Sequence, residues 1–352
     1  MLYSGIGWTA AGYEVAVVDE GGGLISAPVT FGPGQVGAMT AYLTGLTRSP
    51  DAPLVTVVDS TNGMLDGGMM VAGLDMYRAD PWVLPPPPGF GSVPAVELAH
   101  SARRDTARLA RLEVRTGTLT GRLEELDAGI RSSERAVQEL SRAGRCIGRV
   151  DTAERVIALT FDDGPNPPYT GQVLDTLDRY GIPATFFCVG LHVGAHREDL
   201  ARMAEAGHQL GNHTWSHAYL PDLSRGRLEE QLERTDEIIA ATTGLPAPGL
   251  FRPPYGSRTP EVMDWLSRRQ STVVLWDVEP FDWALPGADT IARITLEQAR
   301  PGSVILLHDG GGDRSQTVAA LPAIIEGLLE REFRFVRIDA LTAARHRLPH
   351  SA

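Results

Sequence analysis

Two adjacent carboxylates, Asp162 and Asp163, stand at the end of the apolar run Val156-Ile157-Ala158-Leu159 and just before Gly164-Pro165. The run reads as a buried strand that delivers both acids to a strand-end loop, although Asp-Asp-Gly-Pro is equally at home in a solvated turn. Further along, His213-Thr214-Trp215-Ser216-His217 spaces two imidazoles at i and i+4. On one face of a helical turn such a pair can grip a single cation, but ordinary surface or core histidines also show this spacing. Three more polar groups follow. Phe251-Arg252-Pro253-Pro254-Tyr255-Gly256 is a proline-stiffened loop with one Arg and one Tyr. Trp276 to Trp283, with Asp282 near its end, follows the apolar stretch Thr272–Leu275, and Val304-Ile305-Leu306-Leu307 leads His308-Asp309 into a glycine-rich loop.

The elements that must position these groups begin after Val150. There the chain alternates apolar strands with amphipathic helices, the texture of a parallel α/β architecture. Of the five polar groups, four come directly after apolar strands. That is the arrangement of a barrel whose site lies at the C-terminal ends of its strands.

The ordered set TFDDGP, HTWSH, RPPYG, the Asp282-Trp283 pair and LLHD resembles the NodB-homology polysaccharide deacetylases, carbohydrate esterase family 4, over residues 150–345. The resemblance implies an α/β fold, a distorted (β/α)7 barrel, and a metal-dependent deacetylase that hydrolyses the acetamide of an N-acetylated sugar or small metabolite. Asp163, His213 and His217 match the family's metal ligands. Three protein ligands leave a position open for water, whose pKa the metal would lower towards about 7. Zn²⁺ suits the set, as do Co²⁺, Ni²⁺ and Mn²⁺. Asp162 matches the general base, Arg252 the residue that orients it, His308 the general acid and Asp282 the carboxylate that holds and charges that acid. The backbone N–H of Tyr255 matches an oxyanion donor, and Trp283 and Leu307 match the walls of the acetyl pocket. The alternatives are an O-deacetylase acting on a sugar ester, and a module that binds glycans or a partner with weak turnover. His192, His196, His208, His100, His346 and His350 fall outside the motifs and read as structural or solvated.

Residues 1–92 read as a separate α/β domain. Strand patterns at Tyr3–Trp8, Tyr13–Val18 and Leu24–Thr30 precede a helix at Gln35–Leu43, a strand from Leu54 to Val58 ending at Asp59, and a short strand at Pro81–Leu84. This order resembles the ribonuclease-H-like domain of DEDD-type transposases. Those enzymes place a metal-binding acid on the first strand, where Ser4-Gly5-Ile6-Gly7-Trp8 has none, and one carboxylate at Asp59 cannot hold a two-metal site. The expected role is a degenerate, catalytically silent scaffold or interaction module. Pro85-Pro86-Pro87-Pro88 marks a boundary that no helix crosses.

Residues 93–149 read as a helical or coiled-coil connector. Leu112, Leu119, Leu123, Leu126, Ile130, Val137 and Leu140 form a seam interrupted at Gly117 and Gly129, which offers a surface for a homodimer. The formal net charge of −12 argues against a nucleic-acid partner or an anionic membrane. Cys146 and Cys188 are the only cysteines, and Cys188, inside the apolar run Thr185–Val189, reads as a buried free thiol. Met1 to Val18 lacks the marks of a secretory signal, and no run of roughly 18 apolar residues occurs, so the expected setting is cytoplasmic.

Overall fold

The computed structural model describes residues 1–47, 53–59, 65–112 and 122–344. They form two compact units, Met1–Glu125 with Ser216–Leu223, and Leu126–Trp215 with the rest of the chain from Ser224. Gly117 and Leu119 of the expected seam, and His346 and His350, lie outside the described residues.

The first unit is built on a sheet of six strands: β1 (Leu2–Thr9), β2 (Gly12–Asp19), β3 (Val29–Phe31), β4 (Leu54–Asp59), β5 (Asp75–Ala79) and β6 (Ala110–Arg111), in the order β3-β2-β1-β4-β5-β6. β1, β2 and β3 pair antiparallel, whereas β4 and β5 run parallel to β1. The expected strand at Pro81–Leu84 is instead a 3₁₀ turn over Pro81–Val83. Proline at the head of that segment has no N–H for a ladder, and the strand lies earlier, in Asp75–Ala79.

The helix Ala95–Asp105 lies directly on β1. A Cβ at Gly5 would sit 2.1 Å from the carbonyl oxygen of Ala95 and 2.6 Å from Leu98 Cβ, so glycine is what lets the helix come this close. Next to it, Ser4 Oγ donates to Thr56 Oγ1 at 2.9 Å in the buried interior.

The structure divides the 93–149 stretch. Its first helix belongs to the first unit, and Leu112 extends the β6 pairing by donating its N–H to Met76 O. Among the described residues two further short helices follow, Leu123–Ser132 and Glu134–Arg142, neither with a buried residue, and they break at Ser133. Gly129 sits inside a helix because the carbonyl of Arg258 would lie 2.6 Å from any Cβ there. This leaves no continuous seam of the length a coiled-coil dimer needs among the described residues.

The second unit carries β7 (Cys146–Ile147), β8 (Val156–Asp162), β9 (Thr185–Cys188), β10 (Gln209–Asn212), β11 (Leu250–Phe251), β12 (Thr272–Val274), β13 (Val304–His308) and β14 (Arg334–Phe335). The order is β13-β8-β9-β10-β11-β12-β7, with β14 on the first residues of β8, and every pairing is parallel. Val278, just past β12, bridges to Ile305 of β13, so the sheet curls back towards its other end.

β8 explains why its sequence reads as an unbroken apolar run. Both of its faces are covered, as in parallel sheets generally. Ile157, Leu159 and Phe161 pack into the cluster formed with Leu174, Phe186, Leu321 and Ile325. Val156 and Ala158 point the other way, among Phe187, Val274 and Leu341. With a side-chain period of two, Thr160 and Asp162 continue this second face. Cys146 and Cys188 are buried free thiols. Among the described residues no helix is long and apolar enough to cross a membrane.

Candidate active site

Asp162 ends β8 and His308 ends β13, and the two are direct register partners on adjacent parallel strands. Strand pairing alone therefore brings a carboxylate and an imidazole to one rim. Arg252 arrives from the end of β11 and is completely buried. Its Nη1 donates to Asp162 Oδ1 at 2.7 Å and to Thr160 Oγ1 at 2.8 Å, and its Nε donates to Val274 O at 3.1 Å. The guanidinium also lies over the Phe187 ring, 4.2 Å from its centroid. Burial pulls this guanidinium below its ordinary value, and the Asp162 carboxylate opposes the shift.

On the other side, Asp282 sits in a 3₁₀ turn flanked by left-handed residues, Phe281 (φ 56) and Leu285 (φ 53). Its carboxylate accepts from His308 Nδ1 at 2.7 Å, from the His308 N–H at 2.9 Å and from Thr317 Oγ1 at 2.8 Å. Burial alone would push His308 down, but the charge and hydrogen bond of Asp282 outweigh it and raise the imidazole to about 9. Burial likewise opposes ionisation of Asp282, and His308 and Arg314 more than offset that, holding its carboxyl below the usual range. With Nδ1 committed to Asp282, Nε2 is the His308 nitrogen left to exchange a proton.

Asp163, His213 and His217 form a buried group whose ligand atoms all lie within 4.8 Å of one another. His213 Nδ1 is 2.8 Å from the carbonyl of Arg252. A carbonyl can only accept, so Nδ1 carries the hydrogen and Nε2 presents its lone pair. That Nε2 stands 3.4 Å from Asp163 Oδ1 and 3.6 Å from Asp162 Oδ2. Atoms sharing a tetrahedral Zn²⁺ at about 2.0–2.2 Å are spaced about 3.3 Å apart, so two imidazoles and a carboxylate at these separations fit a divalent cation.

The i, i+4 histidines are not on a helical turn. β10 ends at Asn212, and the ligands lie in the irregular loop that follows, with Thr214 (φ 67) and His217 (φ 55) left-handed. Asn212 makes this loop possible. Its side-chain oxygen accepts the Thr214 N–H at 2.8 Å, and its amide donates to Leu232 O and to Asp236. Asp163 is also left-handed (φ 80), so both arms of the group rest on backbone that persists only where the surroundings impose it.

The remaining residues read from the motifs are placed as follows. Tyr255 is left-handed (φ 60) in the 3₁₀ turn Pro254–Gly256. Trp283 is half-buried, with Nε1 donating to Glu279 Oε1 at 3.2 Å, and Trp276 donates to the other oxygen of Glu279. Leu307 is fully buried within the core cluster.

Two further residues at the site were given no role by the sequence, His192 outside the motifs and Asp309 at the end of LLHD. His192, read as structural, is buried with Nδ1 2.7 Å from the carbonyl of Asp163, and burial draws it down to about 4 against the pull of that neighbour. Asp309 accepts from Thr170 Oγ1 at 2.5 Å. Burial pushes its carboxyl up to about 7, with Thr170 opposing and the charges of Asp163 and Asp162 adding to the rise. An apolar run containing one histidine, such as Gly190–Val193, gives no hint of which carbonyl that ring will meet.

A buried acid held by arginine, a histidine paired with aspartate and three residues that could hold a cation stand together past the ends of parallel strands, an arrangement that fits a hydrolase. A family model described as polysaccharide deacetylase matches residues 149–274. The chain is 38% identical over 211 residues to a peptidoglycan-N-acetylglucosamine deacetylase of Bacillus cereus, covering 98% of that protein and 59% of this one. It is 41% identical over 196 residues to a chitooligosaccharide deacetylase of a Bradyrhizobium species, covering 87% of that protein and 51% of this one. A crystal structure of a peptidoglycan N-acetylglucosamine deacetylase aligns with a TM-score of 0.56 at 33% identity, covering 57% of this chain and 94% of that one. The peptidoglycan deacetylase PdaC of Bacillus subtilis aligns with a TM-score of 0.52 at 39% identity, covering 56% and 95%. The chain belongs to the polysaccharide deacetylase family, and its curled parallel sheet fits that family's (β/α)7 fold.

Proposed function

We propose that this chain hydrolyses the acetamide of an N-acetylated sugar, releasing acetate and a free amine. The observation that carries the reading is the pair of buried, oppositely assigned couples, Arg252–Asp162 and Asp282–His308, with Asp162 and His308 on adjacent strands beside the Asp163, His213 and His217 group. Arg252 fixes Oδ1 of Asp162, which leaves Oδ2 to take the proton of an attacking water. Water oxygen adds to the acyl carbon, the C–N bond then breaks, and the departing nitrogen receives the proton that His308 holds through the charge of Asp282. A divalent cation on the three ligands, with Zn²⁺ the first choice for this donor set, supplies Lewis acidity to the carbonyl and acidifies water when bound. We assign the Tyr255 N–H to the developing oxyanion and Trp283 to the acetyl pocket; Leu307, which the motif also pointed to, faces the core cluster on the side of β13 opposite His308. The named relatives support a sugar of the N-acetylglucosamine type in oligomeric or polymeric form.

We assign no catalysis to the six-stranded sheet of the first unit. Gly5 and Gly7 of β1 leave no room for a carboxylate, and Ser4 is paired with Thr56. The antiparallel β1, β2 and β3 with parallel β4 and β5 support a silent ribonuclease-H-like scaffold.

Acetate release from N-acetylglucosamine oligomers and from peptidoglycan, compared for wild type and Asp162→Asn after Zn²⁺ loading, tests the reading. Loss of one general base is expected to cost about 100-fold or more, with Zn²⁺ content by elemental analysis unchanged. Equal, slow release by both proteins would leave a glycan-binding module as the better account.

A further inference from the structure

We propose that Arg122 is a positioning residue for the metal site, holding the segment that carries His217. The proposal rests on the assignment of Asp163, His213 and His217 to a divalent cation. Arg122 is 5% exposed, and it belongs to the same compact unit as Ser216–Leu223, the short segment that begins one residue before that ligand. Its Nη1 and Nη2 donate in a fork to Asp222 Oδ2 and Oδ1 at 2.6 and 2.8 Å. Nη1 also stands 3.5 Å from Asp80 Oδ1, and Nε donates to Glu125 at 3.0 Å. The guanidinium carbon Cζ is 4.4 Å from the ring centroid of buried Tyr219 and 4.9 Å from that of Trp82. Arg122 therefore touches the segment two and five residues after His217, by a ring contact and by a two-pronged ion pair.

Such an anchor acts on strained backbone. His217 is left-handed with no glycine beside it, a backbone state that surrounding structure must impose. Between His217 and the 3₁₀ turn Leu220–Asp222 there is no helix or strand to impose it. A planar fork matched to a carboxylate fixes orientation as well as distance, which a lysine at this position could not do. None of the sequence motifs includes Arg122, Asp222 or Tyr219. Residues that orient a ligand without touching the ion commonly change metal affinity by about 10- to 100-fold.

The test uses the full chain and Zn²⁺ alone. Wild type, Arg122→Gln, Arg122→Lys and Asp222→Asn are titrated with Zn²⁺ by calorimetry, and thermal unfolding of each metal-free protein is recorded. Asp222→Asn is the mild variant, because Arg122 keeps Asp80 and Glu125 as partners. The expected result is Zn²⁺ affinity weakened about 10-fold in Arg122→Gln and Asp222→Asn, with partial recovery in Arg122→Lys. The metal-free melting temperature of Asp222→Asn is expected to stay close to wild type, and acetate release by the variants is expected to recover as Zn²⁺ is raised. Wild-type affinity in Asp222→Asn and Arg122→Gln would overturn the proposal while leaving the metal reading intact. A loss of activity that excess Zn²⁺ does not restore, in a variant that still melts normally, would also overturn it. Absence of Zn²⁺ uptake by wild type would remove both.

Discussion

Replacing Asp282 by Asn should move the proton of His308 further than any other single change in the site. In wild type the imidazole is raised to about 9 from an ordinary 6.5, with burial working against the shift and Asp282 producing it. At 1.36 kcal/mol for each tenfold change in proton affinity, this corresponds to about 3 kcal/mol of preference for the charged ring. The sign follows from linkage. The folded value lies above the unfolded one, so the pair contributes its full stability below pH 6.5, loses it as pH rises towards 9, and contributes none above that. Asn keeps the shape and can still accept from the ring, but it removes the charge, so burial and the Arg314 charge are then opposed only by Asp163 and the imidazole falls well below its wild-type value. The assay is an NMR titration of metal-free wild type and Asp282→Asn, since a bound cation would add a like charge. Denaturant unfolding at pH 6 and pH 9.5 accompanies it. Wild type should lose about 3 kcal/mol more than the variant between those two pH values. In acetate release the alkaline limb of Asp282→Asn should lie at lower pH than that of wild type. Identical titration of His308 in both proteins would refute the argument that Asp282 charges it.

Two other perturbations follow from the packing. Arg252→Met removes the partner of a buried carboxylate and the donor to Thr160, and should destabilise the second unit by about 3–5 kcal/mol in denaturant unfolding as well as abolishing turnover. Gly164→Ala would bring a Cβ to 2.1 Å from Asp309 Oδ2, beside His308. Turning that buried carboxylate should cost about 1–3 kcal/mol in thermal or denaturant unfolding, and full stability would refute the crowding.

Much of the chemistry was legible because it is attached to strand ends. Asp162, Asp163 and His308 follow apolar runs that are buried on both faces, and such runs announce themselves in sequence. The HTWSH loop was half legible: the spacing picked out two histidines that lie with Asp163 in one buried group, but the conformation that joins them depends on the Asn212 side chain and on left-handed backbone, which spacing does not encode. β5 was missed because Arg78, a charged residue, is 2% exposed in Asp-Met-Tyr-Arg-Ala and spoils the apolar alternation. His192 and Arg122 act through contacts 29 and 100 residues away in sequence, with Asp163 and Asp222, which no local pattern reports.

The close approach of the helix Ala95–Asp105 to Gly5 also bears on how the first unit can change over time. A side chain at position 5 would collide with backbone atoms, which cannot swing aside as a rotamer can. No single codon change could place an acid there without first shifting the helix by ångströms. Whatever the history of this sheet, packing has closed that route at position 5 of β1.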